Sequence, residues 1–420
     1  MTSETHKNGL NIPGLVVLAM LALAALCGIA DMTILTLGVV LCFITLLLHD
    51  ELYLAFPFVI FYNAIYGTAL GFSIMRVFAF LVFVNVLLQA KNKSTVNIRT
   101  SILFAIYLFY VTLTMVPHVG ISSSLFTMMD ISCCLFIVLD IKKKPNALQN
   151  FFKVYALICV ISYFSGILAD NYIHNEYTFS RFNGTFEDPN YMGFFFTIAI
   201  FALVCLKLFD KRIRFGLVVV LYVMMLTTLS LSAILANIMT WVLYCMIMNK
   251  WQVKRVVIVV IAAVMVVSLY NYGLNNSDAP IIGDISERIE KSLHDFNSGN
   301  YEDATSGRVD HVKEHIIFWG SSSILNILFG GIPSNARYIY PELDGAAHNE
   351  YVDMLLNVGI LGTIVMLGCF ILGLAEYWKK YKTSKKDEYL FLVTGKVVWA
   401  IYAFTLTMFL DYRFLLIFLI

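Results

Sequence analysis

The chain is a succession of apolar runs broken by short polar segments. The runs lie near 12–30, 33–48, 52–70, 74–90, 100–116, 124–139, 151–169, 190–206, 215–229, 231–249, 255–272, 350–374 and 389–409. A helix needs about 20 apolar residues to cross a bilayer, and most of these runs approach that length. The pattern predicts an all-α polytopic membrane protein with about 12–13 transmembrane helices. Ser230 marks a hairpin between two runs, and the apolar end "FLLIFLI" is too short to cross and reads as re-entrant. The first run follows a single lysine, Lys7, and "ALAALCGIAD" fits a small-x-small cleavage site poorly, so it reads as an uncleaved span.

Composition strengthens this picture. The 420 residues are 60% hydrophobic and only 14% charged, with mean hydropathy +0.79, whereas soluble chains are about a quarter charged. A net charge of +1 gives no basis for nucleic-acid binding. The eight cysteines all fall inside apolar runs. That excludes a disulfide framework in the loops and a thiolate metal cage of the usual spacing.

The placing of charge predicts orientation. With the N-terminus cytoplasmic, 20 of the 29 Lys and Arg fall on the inner side, as the positive-inside rule requires. The two long polar segments, about 170–189 and 273–347, then lie outside. The second exceeds a simple connector and has internal order. "ISERIEKSLHDF" puts Ile285, Ile289, Leu293 and Phe296 on one helical face, and "SGRVDHVKEHIIFW" does so with Val309, Val312, Ile316 and Trp319 after a cap at Ser306. Such helices suit the membrane surface or the roof of a cavity. This loop holds eleven Asp and Glu against five Lys and Arg, so its cations are single anion-binding groups rather than a polyanion surface. The expected organisation is one integral membrane domain, residues 1–420, with these two loops on the extracytoplasmic side.

Three polar patches lie on that side. In "GAAHNEYVDMLLNVGILG", His348 precedes Asn349, Asp353 and Asn357, which recur at helical spacing as one stripe running into the membrane. Polar groups at such depth usually face a cavity or pathway; the alternative is that His348 and Asn349 simply cap the helix. In "SRFNGTFEDPNYMG", Asp188-Pro189-Asn190 reads as a helix start, which accounts for Asp188. Arg181 has no such explanation and is well placed to hold a phosphate beside that start; the alternative is a solvated surface arginine. In "TSGRVDHVKEHIIFW", Arg308 occupies the first turn of a helix, where a cation opposes the dipole, and Gly330-Gly331 permits a tight turn towards His348. Within the last span, Lys396 is suited either to a transport pathway or to snorkelling.

Together, "GTFEDPNYMG", "SGR" with downstream "ILFGG", and "HNEYVDMLLNVGILG" resemble, in order and spacing, the O-antigen ligase and Wzy-type polymerase family over roughly residues 150–375. The resemblance implies a metal-independent glycosyltransferase in the bacterial plasma (inner) membrane that needs no cofactor. Its donor would be a glycan on undecaprenyl diphosphate, and its acceptor a sugar hydroxyl at the outer face. It implies His348 as general base or orienting group, and Arg308 and Arg181 as holders of the diphosphate. Asn349, Asp353, Asp188, Asn190 and Arg337 are supporting candidates. A chain-length regulator and a flippase are further partners of such a system, alongside membrane lipids. One departure stands out. Many relatives carry an arginine in an "SRS"-like segment of a middle span, where this chain reads "LSLSAILA" with Leu231 at that place, so the role is unfilled or has moved to Arg76 or Arg337.

The residue types suit this chemistry. A sugar hydroxyl is a poor nucleophile at neutral pH, and a histidine with an ordinary pKa of about 6.5 can accept its proton, an effect typically worth ~10²–10⁴ in rate. The departing diphosphate gains negative charge that arginines stabilise. The expected activity is polymerisation of lipid-linked repeat units into O-antigen, capsular or exopolysaccharide. The alternatives are transfer of finished polymer to a lipid A core or other anchor, and membrane transport of a glycan-lipid or small anion.

Overall fold

The computed structural model describes residues 12–27, 30–66, 73–90, 98–168, 172–174, 180–182, 185–186, 188–247, 275, 282–299, 308–332, 343, 347–406, 408 and 411–420. It shows an all-α polytopic membrane protein. Helices α1 (Ile12–Ala25), α2 (Met32–Leu48), α3 (Phe56–Tyr66), α4 (Ile74–Ala90), α5 (Ile98–Lys143) and α6 (Ala147–Leu168) come first. A short antiparallel pair, β1 (Tyr172–His174) with β2 (Ser180–Phe182), follows. Then come α7 (Pro189–Cys205), α8 (Lys211–Thr227) and α9 (Leu231–Ile247). The outer-loop helices are α10 (Ile282–Asn297), α11 (Arg308–Ser321) and α12 (Ile324–Phe329). The chain closes with α13 (Glu350–Ser384), α14 (Asp387–Tyr402) and α15 (Tyr412–Leu419). Among the described residues, Gly120–Lys143, Ala147–Leu168 and α13 are long and apolar enough to cross a membrane, and several shorter apolar helices pack with them.

The helices start where short polar side chains can satisfy the first free N–H groups. The Asp31 carboxylate accepts from Thr33 N (2.9 Å) and Ile34 N (3.1 Å), and Asp210 accepts from Arg212 N (2.8 Å) and Ile213 N (3.2 Å). Helix α7 is central, with every residue except Tyr191 and Val204 buried. It packs against α6, α8, α9 and α14. Its crossing with α9 requires a glycine, since a Cβ on Gly193 would lie 2.4 Å from that of Ala233. An aromatic cluster fills the neighbouring space: Phe195 stacks on Phe186 at 4.8 Å and on Phe414 at 5.1 Å.

Several boundaries differ from the sequence pattern. The runs at 100–116 and 124–139 form one long helix broken at Gly120, whose φ of 80° interrupts it. The run 389–409 stops being helical at Tyr402, because the chain beyond it is captured by α13: Glu350 N–H donates to Ala403 O (2.7 Å), and Met408 N–H donates to the Glu350 carboxylate. The run 255–272 lies outside the described residues. The hairpin at Ser230 is present, with Leu229 at φ 49°. The "FLLIFLI" end is α15, a buried eight-residue helix. Lys396 does not snorkel. It is buried, its ammonium donates to Phe418 O near the end of α15, and the Phe370 and Phe418 rings lie 5.3 and 5.7 Å away.

The apolar face of α11 is rotated from the expected one. Val309 and Ile316 are exposed, whereas Val312, Phe318 and Trp319 pack on Ile332, Leu343, Ala347, Val352 and Leu356. His315 shares that inward face and is buried. Its Nδ1 hydrogen-bonds His311 O at 2.7 Å, so the helix spends a polar residue inward and leaves branched apolar ones outside.

Candidate functional site

Four helices begin at the same end of the bundle, α7, α9, α11 and α13, and the first residues of α7, α9 and α11 are linked. At α7, Asp188 caps the helix by accepting from Asn190 N (2.7 Å). Asn190 is buried, and its amide oxygen accepts from Ser230 Oγ (2.6 Å). Ser230 in turn accepts from Ala233 N (3.1 Å) and so caps α9. One residue pair further on, Ser232 Oγ accepts from the Arg308 guanidinium (2.9 Å), which lies 76 residues away in sequence. Arg308 is the first residue of α11. Burial pulls its pKa down from the ordinary value, and the nearby Asp188 carboxylate opposes that shift. Of its five N–H donors, Ser232 takes one among the described residues.

The fourth helix supplies the histidine. Asn349 caps α13, its side-chain oxygen accepting from Tyr351 N (3.1 Å) and Val352 N (3.3 Å). The expected stripe therefore divides. Asn349 is the cap, Asn357 turns back on its own helix to donate to Asp353 O (2.7 Å), and Asp353 is fully buried. Tyr191, in the first turn of α7, lies within electrostatic reach of Asp353, Asp188, Asp411 and Arg413. His348 stands just outside the cap, half-buried, with φ 47°. A left-handed backbone is uncommon for a residue with a Cβ and turns the chain abruptly into α13.

Two glycine motifs lock α12 and the following turn onto α13. Helix α13 is interrupted at Gly359 (φ 65°, ψ −176°). That break frees the carbonyls of Leu356 and Asn357, which accept instead from Ile332 N (3.0 Å) and Gly331 N (3.0 Å). A Cβ at Gly330 would lie 2.4 Å from Asn357 O, and one at Gly359 would lie 2.4 Å from Leu328 O. "ILFGG" and "NVGILG" are thus two halves of one backbone contact.

The structure brings Arg308, Asp188 and Asn190 into one connected frame and places Asn349, Asp353 and His348 at the start of the adjoining α13. Arg181 lies in β2 opposite Ile173, with its side chain outside the described residues, and Arg337 lies outside them altogether. The segment "LSLSAILA" lacks the arginine of the family pattern, and Arg308 itself reaches its Ser232. Arg76 is exposed and lies 3.8 Å over the Phe126 ring. Sequence reasoning missed Ser230, Ser232, Tyr191 and the Asp411–Arg413 pair. The Arg413 guanidinium grips Asp411 with Nε–Oδ2 at 2.9 Å and Nη2–Oδ2 at 2.6 Å, and it lies 5.3 Å from the Tyr191 ring. The two serines spaced by one residue between apolar runs were the available signal for α9.

No curated protein matches the chain. The family model described as Wzy_C, O-Antigen ligase, matches residues 215–367, a little over a third of the chain. The matched segment contains Ser230, Ser232, Arg308, both glycine motifs and His348, but not the Asp188 patch. Members of that family transfer glycosyl groups, and over residues 215–367 this chain is similar to the O-antigen ligase/Wzy-type family.

Proposed function

We propose that the convergence of α7, α9, α11 and α13 is a glycosyl-transfer site that polymerises oligosaccharide repeat units carried on undecaprenyl diphosphate. The observation that carries this reading is Arg308, held by Ser232 near Asp188 where helix N-termini meet. N-terminal N–H groups and a guanidinium together favour a phosphate ligand. In this reading Arg308, joined by Arg181, binds the diphosphate and stabilises its charge as it leaves. His348 accepts the proton of the attacking sugar hydroxyl. The hydroxyl oxygen forms its bond to the anomeric carbon as the diphosphate oxygen departs, inverting that centre without a metal. Asn349, Asp353, Asp188, Asn190 and Arg337 support the frame.

The lysine and arginine distribution supports a cytoplasmic N-terminus, hence an extracytoplasmic site in a bacterial plasma membrane built as one membrane domain, with the 170–189 and 273–347 loops outside. The description of the matched family favours a second reading, ligation of finished polymer to a lipid A core or other anchor. Purified protein in lipid nanodiscs with EDTA would receive an undecaprenyl-diphosphate-linked repeat unit, with and without a lipid anchor. A ladder from the repeat unit alone supports the polymerase. A single shift of the anchor without a ladder establishes the ligase instead. No transfer to either, with tracer crossing vesicles, would establish transport. A chain-length regulator and a flippase are expected to act beside it.

A further inference from the structure

We infer that residues 315–331, the lower half of α11 with α12, form an interfacial anchor whose exposed side chains lie among phospholipid acyl chains. The inference rests on the membrane assignment and not on the glycosyl-transfer reading.

The first observation is chemical. From His315 to Gly331 the sequence "HIIFWGSSSILNILFGG" contains no Asp, Glu, Lys or Arg, although Asp310, Lys313 and Glu314 directly precede it. Ile317 is 61% exposed, Ile324 66% and Leu325 65%, with Ile316 and Phe329 also exposed. Isolated exposed apolar residues need no explanation, but a contiguous set of this size marks an interaction surface.

The second observation is depth. On α13 no formal charge occurs between Asp353 and Glu376. At 1.5 Å per residue that interval spans about 33 Å, close to the ~30 Å hydrocarbon core. The contact of Gly330, Gly331 and Ile332 with Leu356, Asn357 and Gly359 therefore sits about 5–9 Å below Asp353 along the axis. That is the depth at which interfacial helices bury their apolar faces.

The third observation is continuity. The side of α13 just below the contact is itself apolar and exposed, with Leu361, Ile364 and Val365. Helix α12, whose Ile324, Leu325 and Phe329 are exposed, packs on α13 at this level. The backbone at the contact is not left bare, since the interrupted carbonyls of α13 are satisfied by Gly331 and Ile332, as irregular backbone at membrane depth requires.

The test is site-directed spin labelling in nanodiscs of phosphatidylethanolamine and phosphatidylglycerol, with Cys369, the exposed native cysteine, replaced by serine and the unsubstituted background subtracted. Nitroxides go on Ile317→Cys and Leu325→Cys, with Lys313→Cys as the aqueous reference and Ile364→Cys as the lipid reference. All four positions are exposed, so the label displaces no packed contact. The expected result is collision with oxygen well above collision with a water-soluble nickel chelate at 317 and 325, matching 364, and the reverse at 313. Nickel-dominated collisions at 317 and 325 would put the segment in water. Low collision with both reagents would mean that protein covers it. Either result overturns the inference.

Discussion

Replacing Gly330 or Gly359 by alanine perturbs the contact that joins α12 to α13. Gly330 has φ 77° and ψ −143°, and Gly359 has φ 65° and ψ −176°. Both backbones lie in a region almost exclusive to glycine, where another residue costs on the order of 1–3 kcal/mol. The new Cβ would also lie 2.4 Å from a backbone oxygen of the opposite element in each case. Backbone cannot swing aside like a side-chain tip, so overpacking adds about 1–3 kcal/mol. Each substitution is expected to cost roughly 2–6 kcal/mol, a large fraction of a typical ~5–15 kcal/mol stability. Gly368 is the control, because it lies inside α13 with nothing within 4 Å of its Cβ position. Gly368→Ala is expected to be neutral or to stabilise by up to ~1 kcal/mol. Unfolding free energies from SDS titration in mixed micelles separate the cases. Glycosyl transfer should fall with the first two variants, because the turn they pin leads on to His348. If Gly330→Ala and Gly359→Ala unfold together with Gly368→Ala, the interlocking of the two motifs is refuted.

Three further outcomes follow from the same geometry. Glu350→Ala removes the acceptor of Met408 N–H in a buried setting and should cost about 1–3 kcal/mol, read by the same titration; wild-type stability would show that α13 does not hold the backbone at Met408. Ser230→Ala removes both the α9 cap and the donor to Asn190, with an expected loss of about 0.5–2 kcal/mol and weaker donor binding than in the wild type. Burial lowers the pKa of His315 below its ordinary 6.5, so the unfolded chain binds more protons as pH falls through that value and stability should decline on acidification below about 6.5. His315→Gln should flatten that decline, and an unchanged slope would assign it to other groups.

Much of the fold was legible because lipid solvent imposes a simple rule on every span. Apolar length alone located α2, α4, α6 and α7 to within a few residues, and the start of α13. The rule fails where tertiary contacts end a helix early, as at Tyr402, where buried Glu350 competes for the backbone beyond it. It also fails to orient α11, because a periodicity argument assumes that apolar residues face protein. Beside a membrane the outward face can be apolar too, and His315 and Arg308 turn inward. In the candidate site, Asp188 and Asn349 were readable as caps, since capping is local. The bond from Arg308 to Ser232 was not, because nothing within 76 residues of sequence announces which serine an arginine will meet. The glycines were readable as turns, but their pairing across two motifs depends on a backbone approach that only the folded chain displays.

The most direct test of the central claim is single-turnover transfer from an undecaprenyl-diphosphate-linked repeat unit by wild type, His348→Ala and Arg308→Ala in nanodiscs, each first shown to unfold like the wild type. His348→Ala should lose about 10²–10⁴ in rate if it supplies the general base. Arg308→Ala should lose donor affinity together with rate, since the charge it offers serves both bound and departing diphosphate. Wild-type transfer by a folded His348→Ala protein would contradict the assignment of this helix mouth as the site of chemistry.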